Sequence, residues 1–123
     1  MHVTDIASVP RKSSPRPGGP TVSRLLTPDV ATGLTVVHAE LPPGGAMPEH
    51  GHGGSSVTLI PLVGTVEVTS AGTTRALTPG SVAHIPAGDR VALANPGGET
   101  AAFMITLSPT TGGEHAAAEH PAA

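Results

Sequence analysis

The sequence PEHGHGGSSVT, residues 48 to 58, carries two histidines separated by one residue. In an extended strand, residues two apart point to the same side, so the imidazoles of His50 and His52 can converge on one point. Such a pair looks like half of a metal site, with the same histidines as the candidate catalytic groups. Two neutral imidazoles alone supply neither the charge nor the ligand count for tight binding, so without further ligands the metal is held weakly or not at all. The first candidate for a third ligand is His84 in SVAHI. By alternation it shares a face with Val82, while Ala83 and Ile85 face the other way, and it joins the pair if its face is the inner one. His38 shares a face with Val36 and Glu40, and the charge of Glu40 assigns that face to solvent. Glu49 alternates away from His50. His2, His115 and His120 stand near the chain ends and are expected to be solvated.

The elements that must position these groups are short runs of β-formers with turn residues between them. From Thr21 onward the runs are TVSRLLT, LTVVHAEL, SVTLIPLV, TVEVTS, TTRAL, SVAHIP, RVALAN and TAAFMITL. The breaks are rich in Gly and Pro, as in PPGGAMPEHGHGG, TPG, AGD and PGGE. Many short strands at even spacing predict an all-β, antiparallel double-sheet barrel of at least eight strands, a jelly roll, over residues 21–108. Residues 1–20, with four prolines and few apolar side chains, are expected as a flexible arm, and 109–123 as a flexible tail.

Composition narrows the function classes. The chain has 123 residues, no cysteine and a formal charge of −3, and three of its six basic residues fall in the first sixteen positions. Disulfides and thiolate metal sites are excluded, and no basic stripe suits nucleic acid. No stretch approaches the ~18 apolar residues of a membrane-spanning helix, and the first twenty residues lack a continuous apolar run for a secretory signal; a cytoplasmic protein without a membrane partner is expected. Phe103 is the only aromatic residue. A core of Val, Leu, Ile, Ala and Met buries less area per side chain than one with rings, so modest stability and a homodimer covering sheet edges are expected.

The spacings resemble those of the cupins. The first cupin motif runs Gly, five residues, His-x-His, three or four residues, Glu, six residues, Gly. Here Gly44, His50, His52 and Gly64 are in register, with Val57 where the Glu stands. The second motif runs Gly, five residues, Pro-x-Gly, two residues, His, three residues, Asn. Gly80, Pro86, Gly88 and Asn95 match it, with Val91 at the His position. The resemblance covers roughly residues 33 to 107. It implies a double-stranded β-helix whose site is ringed by His50, His52, Val57 and Val91, with Leu59 and Leu93 as further lining. In an intact cupin the two lost positions complete the shell of a divalent transition metal, so the resemblance implies iron, zinc, manganese, nickel or copper at His50 and His52, weakly held or absent because half of the site is hydrocarbon here. Ser55 and Ser56 lie near the lost Glu, where a hydroxyl orients a water.

A barrel of this kind is expected to enclose room for one small ligand. With two valines at the site, that ligand is a small, largely hydrophobic metabolite. Three roles remain open: a metal-assisted dioxygenase, isomerase or cyclase; a metal-free isomerase or cyclase with a His base; and a ligand-binding or assembly module without turnover.

Overall fold

A computed structural model describes residues 1–110. Ten strands account for half of them: β1 (Lys12–Ser13), β2 (Thr21–Leu26), β3 (Thr35–Leu41), β4 (Ala46–Gly51), β5 (Ser56–Val63), β6 (Val66–Ser70), β7 (Thr73–Leu77), β8 (Ala83–Ile85), β9 (Arg90–Ala94) and β10 (Ala101–Ser108). They form a six-stranded sheet in the order β1-β2-β3-β10-β5-β8 and a four-stranded sheet in the order β4-β9-β6-β7. Every pairing is antiparallel. After β3 the chain alternates between the sheets, only β6 and β7 being consecutive in one sheet. This is the jelly roll expected from the strand pattern. No helix among the described residues is long and apolar enough to cross a membrane.

The core follows from period-two alternation. In β5, Val57, Leu59 and Pro61 are buried; in β10 the buried positions are Ala101, Phe103, Ile105 and Leu107; in β9 they are Val91 and Leu93. One inner face is presented by each sheet, and the two faces meet in a single cluster with Phe103 as its only ring.

Residues 1–20, expected as a flexible arm, are joined to this body at several points. Ser13 and Lys12 pair with Thr21 and Val22 of β2, and Arg11 Nη1 lies 2.9 Å from Glu40 Oε1. The amide of Ala46 donates to the Gly18 carbonyl at 3.0 Å. The physical reason is the open edge of β2, whose unpaired backbone groups take a partner where one is within reach. Gly45 permits the approach, since a Cβ there would clash with the carbonyls of Gly18 and Pro42. At the other end, the body runs two residues past the expected boundary: Thr110 is buried and its hydroxyl bonds that of Thr35 at 2.9 Å. The rest of the expected tail, 111–123, lies outside the described residues.

Asn95 ties the two ends of the site-bearing strands together. Its side-chain amide donates to the carbonyls of Leu41 (2.9 Å), Pro42 (3.2 Å) and Glu99 (2.7 Å), and its Oδ1 accepts from the Gly97 amide at 2.9 Å. The backbone adds reciprocal bonds, Gly44 N–H to Asn95 O and Asn95 N–H to Gly45 O. One buried residue thus holds the β3–β4 turn against the β9–β10 turn. Asn95→Ala leaves several backbone groups stranded, and each stranded buried group costs roughly 1–3 kcal/mol. A loss of about 2 to 4 kcal/mol is expected in urea unfolding; a loss within error would show that water replaces the side chain without cost.

Candidate functional site

β4 is an edge strand, and its pairing with β9 is irregular. Ala46 and Met47 stand opposite Ala94 and Leu93, the register then shifts, and His50 and Gly51 stand opposite Val91 and Arg90. The shift falls at Pro48, which cannot donate to a ladder and is tolerated at edges and bulges. Its consequence is a change of parity. Met47 and His50, three residues apart, are both buried, while Pro48 and Glu49 between them are exposed. Glu49 is held on the outside by Arg90, which donates from Nε to its carboxylate at 3.0 Å and from Nη2 to its carbonyl at 3.1 Å.

His52 follows directly after β4 and is also buried. The His50 and His52 rings pack edge to face, with centroids 4.7 Å apart and planes at 72°. His50 Nδ1 lies 2.8 Å from the Pro48 carbonyl. A carbonyl only accepts, so Nδ1 carries the proton and the Nε2 lone pair is left available. Burial pushes the His50 pKa below its ordinary value; the hydrogen bond to Pro48 opposes that shift and the positive charge of Arg90 adds to it. His50 is therefore a neutral imidazole at neutral pH.

Both rings line a small cavity between the sheets. The six-stranded sheet contributes Val22, Val37, Val57, Leu59, Ile105 and Leu107; the other wall is Met47, His50, His52, Val91 and Leu93. The lining is eight aliphatic side chains, one thioether and two imidazoles. Its free space is about 20 Å³, enough for one water-sized occupant. This is far less than the room for a metabolite expected from the barrel, and the reason is the lining itself: branched aliphatics from two facing sheets interdigitate and fill the volume.

The candidate residues divide accordingly. His50, His52, Val57, Leu59, Val91 and Leu93 are brought to one cavity. His84 is not. It stands opposite Thr58 in the β5–β8 pairing, while its neighbour Ile85 stands opposite Val57 and is buried, so the parity of β8 turns His84 outward. Its ring contacts the Thr58 hydroxyl at 3.4 Å and lines an open hollow of about 530 Å³ with Arg75, Ser70 and Ser81. His38 also faces away from the cavity, since its neighbour Val37 lines it, yet it is buried rather than solvated. The Arg11–Glu40 ion pair brings the N-terminal segment over that face of β3. Ser55 points its hydroxyl to the Pro109 carbonyl, and Ser56 to that of Ser108. Met47 was missed by strand alternation, which puts it on the face of Glu49; Pro48 inside a strand was the available sign of a bulge.

A family model for the cupin domain matches residues 37–107. This chain is a cupin. Solved structures with the same fold include a predicted oxalate decarboxylase from Thermotoga maritima, at 20% identity and a TM-score of 0.78, covering 89% of this chain and 100% of that one. The polyketide cyclase RemF from Streptomyces resistomycificus aligns at 23% identity and TM-score 0.76, over 89% of this chain and 80% of its own. A sugar phosphate isomerase from Silicibacter pomeroyi aligns at 20% and 0.71, over 87% and 75%. A search of curated proteins found no match.

The cupin metal shell was tested against these residues. Among the described residues, no three His, Cys, Asp or Glu side chains surround one point. Val57 and Val91, the positions of the missing carboxylate and imidazole, are 2% exposed and line the same cavity as the histidines. A divalent ion there would meet two neutral imidazoles and no anion, against a desolvation penalty that such a donor set does not offset. The residues present do not fit a tightly held divalent ion.

The neutral state of His50 has a consequence for stability. In the unfolded chain it takes up a proton near its ordinary pKa of about 6.5, whereas the folded chain resists doing so until lower pH. The unfolded state then binds more protons, so folding stability falls as pH drops below that value and is unaffected by His50 above it. Urea midpoints for wild type and His50→Gln between pH 8 and pH 5 check this. The wild type is expected to lose more stability toward pH 5 than the variant; parallel curves would mean that the buried ring is protonated without cost.

Proposed function

We propose that this cupin binds a small, largely apolar ligand inside its barrel and engages the ligand's polar group through His50, without a divalent ion held by the protein. The observation that supports it is the lining: the lone pair of a neutral imidazole, oriented by the Pro48 carbonyl, in a cavity walled by hydrocarbon. Such a base abstracts a proton beside a carbonyl, and its burial, with the positive charge of Arg90 nearby, keeps it unprotonated at neutral pH. The barrel is shared with proteins named as a cyclase and an isomerase, so the fold accommodates both activities.

Entry requires the cavity to enlarge. Only van der Waals contacts separate the facing aliphatic side chains, so parting them breaks no hydrogen bond, and the binding of apolar atoms restores the lost contacts. Discrimination against charged ligands is strong because a buried ion would have no opposite charge to meet.

Two experiments test this reading. In thermal unfolding with a panel of small apolar ketones and the matching hydrocarbons, ketones are expected to stabilise the wild type more than hydrocarbons do, and His50→Leu should abolish that preference. An equal response to both classes would remove His50 from recognition. The metal part is tested by Val57→Glu together with Val91→His, which completes a three-His, one-carboxylate shell. The double variant should gain melting temperature with added divalent metal and lose it with chelator, while the wild type responds to neither. A wild-type response to divalent metal lost in His50→Ala and His52→Ala would overturn the metal-free reading.

A further inference from the structure

β7 and β8 are the last strands of the four-stranded and the six-stranded sheet and do not pair with each other, so no ladder closes the barrel on that side. The hollow of about 530 Å³ beside His84 lies in this seam, within the roughly 300–1,000 Å³ usual for small-molecule sites. It shares no lining residue with the histidine cavity. We propose that it is a second ligand site, which takes a small aliphatic carboxylate with its head on Arg75 and its chain on apolar side chains of the seam.

Strand register puts a charge where alternation calls for hydrocarbon. Arg75 stands opposite Val68 in the β6–β7 pairing and Leu77 stands opposite Val66, so Arg75 shares the face of those core residues. Val66, Val68 and Leu77 are buried, whereas Arg75 is exposed and lines the hollow. No carboxylate lines the hollow with it, and Arg75 forms no ion pair among the described residues. Glu67, the acidic residue of β6, stands opposite Ala76 and alternates to the other face of the sheet.

The rest of the lining is of two kinds. Ser81 and His84 offer hydrogen bonds; His84 has Nδ1 against the Thr58 hydroxyl at 3.4 Å, which leaves the Nε2 side of the ring to a ligand. Val68, Leu77 and Ile85 are apolar and buried, and Val82 is apolar and 62% exposed. A guanidinium holds a carboxylate through two parallel N–H···O bonds, and aliphatic carbons laid over Val82 and its neighbours remove apolar surface from water. An inorganic anion uses only the first of these interactions, and a hydrocarbon only the second. Because the hollow is open, a carboxylate there keeps part of its hydration, which the hydrocarbon-walled histidine cavity would strip away. The inference does not rest on the apolar ligand proposed for the interior.

The test is titration of the isotope-labelled full chain, followed by amide NMR, with butanoate, pentanoate, hexanoate, the matching alcohols and inorganic phosphate at constant ionic strength. The carboxylates are expected to shift amides of 73–77 and 81–85 saturably, with affinity rising about twofold to fourfold per added methylene. Hexanol and phosphate should bind about tenfold more weakly than hexanoate. Arg75→Gln should lower hexanoate affinity about tenfold and leave that of hexanol unchanged. Val82→Ser should flatten the dependence on chain length. Both residues are exposed, so both variants are expected to fold. His50→Leu should bind hexanoate as the wild type does; a loss there, or shifts confined to β4 and β9, would place the ligand in the interior and overturn the proposal. Phosphate or hexanol binding as tightly as hexanoate, or no saturable shift at all, would overturn it too. So would unchanged hexanoate affinity in Arg75→Gln, the result expected if that charge serves only to keep the open edge of β7 from pairing with other chains.

Discussion

The packing of two sheets over an apolar interior is the constraint from which the other features follow. With Phe103 as the only Phe, Tyr or Trp of the chain, the sheets are spaced by branched aliphatic side chains, and these leave almost no free volume between them. Any polar group inside must then be uncharged and have its hydrogen bonds made within the protein. His50 meets that condition through the Pro48 carbonyl. The lowered proton affinity of His50 and the poor fit of the lining to a divalent ion are two expressions of this one condition.

The cupin motifs separate here into parts that hold the backbone and parts that would hold a metal. Gly64 has a φ of +76°, so a side chain there would strain the turn from β5 to β6. Asn95 holds four backbone groups of two turns. These roles exist whether or not an ion is present, and folding alone is enough to require them. Val57 and Val91 occupy positions where only a ligand requirement would demand a polar group; once that requirement is gone, hydrocarbon is the better filling, because an unpartnered carboxylate or imidazole there costs stability.

How much was readable from the chain depended on which physical rule carried each residue. Val57, Leu59, Val91 and Leu93 lie in regular strands whose alternation is unbroken, so their common face could be read directly. His84 shows the limit of that rule. Alternation in a three-residue strand states which residues share a side but not which side is inner, and only the pairing of Ile85 with Val57 decides it. Met47 escaped because a bulge inverts parity, and a bulge is set by the register between two strands rather than by either alone. His38 escaped for a different reason: Glu40 on the same face suggested solvent, but Arg11 of the N-terminal segment neutralises that carboxylate. Contacts from a segment with no core of its own leave no periodic trace.

The cavity volume was the least legible quantity. Strand number and barrel type bound the space inside a jelly roll, but its final value is a small difference between the enclosed volume and the summed side chains. Replacing a carboxylate and an imidazole by two valines alters that difference indirectly. Polar ligands around an ion must stand off from one another to coordinate it and to leave room for water or substrate, whereas valines gain by touching whatever faces them. The two substitutions thus remove donors and also remove the reason for an open centre. A cupin barrel altered in this way keeps a site in which two imidazoles and a thioether meet hydrocarbon at contact distance, and its chemistry is decided less by how many ligands remain than by how little charge the surrounding walls tolerate.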